Sequence, residues 1–159
     1  MPHSLWDLTG PDGLHAAKAL FGEAVDHLAP FQSLETELQG SPCSVLRLCD
    51  RNFRLTYTGR LDKIVTALDM NLSVKQFDWL GGIFLPPNLF SVLAKQATAR
   101  PPHRLATLPN HCAVPAQIND IPVLIWRHPI QNKPTLELHG ARTQIRTLFN
   151  KFQFLTPDA

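Results

Sequence analysis

Four residues in the second half of the chain, His103, His111, Cys112 and His128, are the types that could carry proton transfer, thiol attack or metal ligation. Cys112 would be the nucleophile, a histidine its base, and Asp120 the group that orients the base. His111 and Cys112 also put two soft ligands side by side. The spacing withholds support: there is no Cys-x-x-Cys, no His-x-x-x-His and no His-Glu-x-x-His. Gly81-Gly82 lacks the lysine or the further glycines of a phosphate loop. The sequence therefore assigns no catalytic residue, no metal and no cofactor. A pocket near Trp79, His111, Cys112 and His128 stands as the enzyme or ligand-binding alternative.

Charge points elsewhere. Residues 1–40 hold six acids and one base, Lys18, whereas residues 41–159 hold seven acids and fourteen bases, so a formal net charge of +2 conceals −5 against +7. Between Asp78 and Asp120 lie forty-one residues with no carboxylate side chain. A basic half of this kind steers toward an anionic partner. Arg142 and Arg146 stand one turn apart on an amphipathic C-terminal helix, and Trp79 and Phe84 are aromatic anchors of the sort that dominate interfaces. The leading expectation is a non-catalytic interaction or adaptor module meeting a protein with an acidic surface through Trp79, Phe84, Arg142 and Arg146.

A nucleic-acid alternative rests on residues 63–80, which resemble, in spacing only, the helix-turn-helix of bacterial repressors. Ala67 takes the small-residue position, Met70 and Leu72 flank the turn, and Asn71 replaces the usual turn glycine. Ser73, Lys75 and Gln76 would then face the major groove, and a dimer would be required to read two half-sites.

The elements that must position these residues follow from periodicity. Thr9-Gly-Pro-Asp12 has the spacing of a helix cap, and Leu14, Ala17, Phe21, Ala24, Val25 and Leu28 recur at 3- and 4-residue steps, predicting a helix over 12–28. Phe53, Leu55 and Tyr57 alternate with polar residues, predicting a hairpin over 44–58. A second hairpin is expected over 121–139, with a longer loop containing Pro129, Asn132 and Pro134. Further helices are expected at 61–69, 88–99 and 141–152. Leu55, Tyr57, Gly59, Ile64, Thr66 and Leu68 match Leu136, Leu138, Gly140, Ile145, Thr147 and Phe149 without a gap, a hairpin-helix echo over 44–69 and 121–152.

Nine of the fourteen prolines lie from Pro86 to Pro134, and because proline brings no ladder N–H, short edge strands and extended loops are expected through Pro101–Pro134 rather than a central strand or long helix. Gly81-Gly82 and Pro86-Pro87 bracket Ile83-Phe84-Leu85, either as core that changes direction or as a hinged flap. Taken together, the expectation is one α+β domain over 1–159, its antiparallel sheet built from two hairpins, each followed by a helix. Three cysteines, an odd number, fit a reducing compartment, and no apolar run reaches the ~18 residues of a membrane span. The chain reads as cytoplasmic and soluble.

Overall fold

The computed structural model describes residues 4–152. It is an α+β structure with two five-stranded antiparallel sheets, and its contacts divide the chain into two compact units, Leu5–Phe77 and Asp78 onward together with the N-terminal residues to Ser4. The two hairpins expected to share one sheet belong to different sheets.

In the first unit the strands are β1 (Trp6–Thr9), β2 (Ser33–Leu38), β3 (Ser41–Cys49), β4 (Asn52–Thr56) and β5 (Ser73–Gln76), in the order β2-β3-β4-β1-β5. Helix α1 (Gly13–Phe21) ends at Gly22, whose φ of 90° no helix continues, and a 3-10 turn at Glu23–His27 follows, so the expected helix over 12–28 is two pieces. Asp12 does not cap α1 with its side chain; its carboxylate accepts the backbone N–H of Asn71 at 2.7 Å instead. Gly13 is obligatory for space, since a Cβ there would come within 2.1 Å of the Arg51 carbonyl oxygen.

The apolar side of this sheet packs Leu8, Val45, Phe53 and Leu55 against Ala16 and Ala17 of α1 and Leu61 and Val65 of α2 (Leu61–Thr66). Two cations are absorbed structurally. Arg54 pairs with Asp7 directly across β4 and β1, Nε to Oδ1 at 2.8 Å. Arg47, 8% exposed, donates to the carbonyls of Leu28, Asp50, Cys49 and Asp26, pinning the 3-10 turn to the β3–β4 turn.

The second unit has β6 (Leu80–Leu85), β7 (Ala97–Ala99), β8 (Cys112–Ile118), β9 (Ile121–Ile130) and β10 (Lys133–Ala141), in the order β6-β10-β9-β8-β7. Helices α3 (Phe90–Gln96) and α4 (Arg142–Phe152) cover one face, where Leu93, Ile145, Leu148 and Phe152 meet Ile83, Val114, Ile125 and Leu138. The β9–β10 connection is a two-residue turn, Gln131-Asn132, both at positive φ, rather than a longer loop.

Between Pro101 and Pro134 the chain is nonetheless more than half sheet, including the ten-residue β9. The ladder explains why. Pro115 accepts the Arg100 N–H through its carbonyl, so its missing donor points toward β7, beyond the last β7–β8 pair, Ala99↔Ala116. Alternation of hydrogen-bonded and non-bonded pairs then aims Pro122 toward β10 past the final pair His139↔Leu124, and Pro129 toward β8 before its first residue, Cys112. Each of these prolines lies past the last pair of the ladder it faces, so none breaks a ladder bond.

The hairpin-helix echo spans both units. Gly59 lies in the turn between β4 and α2, whereas Gly140 is inside β10, opposite Gly81, and α4 begins two residues later.

Candidate functional site

The thiol constellation does not assemble. On β8, Val114, Ala116 and Ile118 pack into the helix-facing core and Cys112 packs against them, whereas His128 follows the opposite alternation on β9 with Trp126. Cys112 and His128 thus occupy opposite faces of the sheet. Asp120 lies in the β8–β9 turn at the far end of the strand, on the order of 20 Å along β8 from Cys112. Burial pushes the Cys112 thiol above its ordinary value, the reverse of nucleophile activation. His111, exposed at a φ of 63°, precedes the strand.

What the structure does bring together is a set the sequence did not signal. Glu137 lies directly across from Trp126; on the same face, His128 is its diagonal neighbour on β9 and His139 stands two residues along β10. Glu137 Oε1 is 2.8 Å from His128 Nε2, and Oε2 is 2.5 Å from His139 Nε2. Trp126 stacks on His128 with ring centroids 3.7 Å apart and meets His139 edge-on at 5.6 Å. An ionised Glu137 accepts at both oxygens, which requires an N–H on Nε2 of each ring. The four side chains are at most 1% exposed. A histidine oriented by a carboxylate is the geometry of a general base, but here it is sealed from solvent within a polar network buried in the sheet. Thr135, Glu137 and His139 alternate with Leu136 and Leu138, a pattern that reads as a strand with one wet face; only burial of both faces makes it a network.

The residues expected to bind a partner fall into two groups. Among the described residues, Trp79 and Phe84 are the large hydrophobics left exposed, at 62% and 45%. Phe84 stands on β6, an edge strand, with Ile83 and Leu85 turned into the core at 1% and 5%. The segment Ile83-Phe84-Leu85 is thus an ordered strand paired to β10 along Gly81–Leu85, and not a hinged flap. Arg142 is committed internally: its backbone N–H donates to the Trp79 carbonyl at 2.7 Å, Nε to the Leu80 carbonyl at 3.2 Å and a terminal nitrogen to Ser4 Oγ at 2.8 Å. Arg146, one turn on, is exposed. The start of α4 therefore lies beside the Trp79 backbone.

Ser73, Lys75 and Gln76 stand on β5, paired with β1 from Trp6↔Gln76 to Thr9↔Ser73. Residues 63–80 hold the end of α2, the strand β5 and the first residue of β6, so the second helix of a helix-turn-helix does not form. Val74 explains the outcome: it packs against the first unit's core as an alternating strand residue while Ser73 and Lys75 face solvent. Among the described residues no cluster of three or more His, Cys, Asp or Glu is arranged to hold a metal ion, and no helix is long and apolar enough to cross a membrane.

No protein-family model matches this sequence, and no curated protein matches it. Among solved structures, the crystal structure of glycine cleavage system aminomethyltransferase T from Bartonella henselae shares its fold, with a TM-score of 0.69 over 95% of this chain at 16% identity. The chain spans 43% of that protein's length.

Proposed function

We propose that this chain is a non-catalytic interaction module whose basic C-terminal part meets an anionic partner, a protein with an acidic surface. The observation that carries the reading is the pairing of an exposed aromatic with exposed cationic charge: Trp79, 62% exposed, next to the start of α4, which presents Arg146 and Lys151 to solvent. An aromatic anchor beside a basic helix suits a partner that offers an apolar pocket rimmed by carboxylates. Phe84 extends the apolar part along an edge strand, and Arg142 holds the Trp79 backbone rather than the partner.

Net charge follows the division of the chain. The unit from Asp78 onward, with the N-terminal residues to Ser4, carries eight Lys and Arg against four Asp and Glu, while Leu5–Phe77 carries seven against nine. Aminomethyl transfer belongs to the Bartonella henselae protein, with which this chain shares a fold. In this chain Cys112 and His128 lie on opposite faces, which favours binding over catalysis.

The test compares wild type, Trp79→Ala and Arg146→Glu as bait in extracts of the source cells, followed by a salt series on the purified partner. One partner lost on both variants, with binding that weakens as salt rises and unfolding midpoints unchanged, is the expected result. Equal recovery of every protein by all three baits overturns the reading.

A further inference from the structure

A second, smaller site lies away from Trp79, on the far edge of the same sheet. A groove of about 310 Å³ is lined by Thr98, Arg100, Pro101, Pro115, Gln117 and Pro122 among others. Its floor is set by the register. Thr98 pairs with Gln117 and Gln117 with Pro122, so these three form one cross-strand row, and Pro115 belongs to the next. Ala97, Ala99, Ala116 and Val123 turn into the helix-covered core, which leaves Thr98, Gln117, Pro115 and Pro122 on the other face.

Three features define the occupant. The volume is at the lower end of what small-molecule sites enclose. Three prolines give stiff apolar walls that lose no rotamer freedom when a ligand arrives. Arg100 supplies a permanent positive charge, and its backbone is held on both sides, donating to Pro115 at 3.1 Å and accepting from His103 at 3.0 Å. Among the described residues its guanidinium makes no ion pair and no side-chain hydrogen bond. The forty-one residues between Asp78 and Asp120 hold no carboxylate, so the acid nearest in sequence is Asp120, in the β8–β9 turn. Gln117 offers an amide that donates and accepts, and Thr98 a hydroxyl.

We infer that this groove binds a small carboxylate with a compact apolar body, the carboxylate on Arg100 and the body against Pro101, Pro115 and Pro122. This site goes beyond the interaction reading and does not depend on it.

Benzoate is the probe, with benzamide as its neutral isostere, titrated into the isotopically labelled protein while backbone amide resonances are followed. Benzoate shifts the amides of Thr98, Ala99 and Gln117 in a saturable way, and benzamide binds roughly tenfold or more weakly, as expected for loss of a charge-assisted contact. Arg100→Gln lowers benzoate affinity by a similar factor while resonances remote from the groove stay in place. The inference is overturned if these amides fail to move at millimolar benzoate, if benzamide binds as well as benzoate, or if Arg100→Gln leaves the affinity unchanged.

Discussion

His128 and Glu137 meet diagonally across β9 and β10, Nε2 to Oε1 at 2.8 Å, with neither side chain exposed. A buried carboxylate is tolerated because two imidazoles satisfy it, and the stacked indole of Trp126 fixes one of those rings.

Removing the carboxylate takes a hydrogen-bond acceptor from two buried imidazoles. Glu137→Ala is expected to cost about 3–5 kcal/mol of stability, the usual loss on breaking one side of a buried polar pair. Glu137→Gln keeps the volume and one acceptor oxygen and falls between Ala and wild type. Urea unfolding measures both; a loss below about 1 kcal/mol for the alanine variant would remove the network from the stability of the sheet.

The thiol of Cys43 is raised from 9.0 to about 12, first by burial and then by the negative charge of Glu35. In the unfolded chain the thiol ionises near pH 9, while the folded protein keeps its proton to about pH 12, so the unfolded state binds fewer protons across that window and stability falls as pH rises through it. The stability difference between pH 8 and pH 11 is expected to shrink in Cys43→Ala, whatever the variant's starting stability. An identical alkaline slope in both proteins would contradict this.

Adjacent residues of β6 have opposite fates. Phe84→Ala, at an exposed site, is expected to change stability by no more than about 1 kcal/mol, whereas Ile83→Ala empties a buried site and costs about 2–5 kcal/mol. Thermal melts of the two variants, run side by side, check the contrast.

Charge reversal separates the two arginines of α4. Arg142→Glu loses the bonds to Leu80 and Ser4 and is expected to destabilise by about 1–3 kcal/mol, while Arg146→Glu stays within about 0.5 kcal/mol of wild type. Equal unfolding midpoints for the two variants would show that Arg142 is not a structural residue.

Local chemistry made part of this molecule legible. The 3.6-residue stripe of Ile145, Leu148 and Phe152 belongs to one helix wherever that helix docks, and Phe53 and Leu55 alternate on a strand because their period is two. The same reasoning failed at Ser73–Gln76, where four residues are too few for periodicity to separate helix from strand and pairing with β1 decided the matter. It failed again along 112–134, since proline excludes a strand only where a neighbour needs its N–H, and that depends on where the neighbouring strand ends.

By itself the sequence determined which segments are amphipathic and how charge divides along the chain, because both depend on residues close in order. The tertiary structure alone decided that the two hairpins join separate sheets, that Cys112 and His128 face opposite ways and that Glu137 is buried between two histidines. Those outcomes turn on strand register and on the cover over each face, and both are set by contacts between residues far apart in the chain.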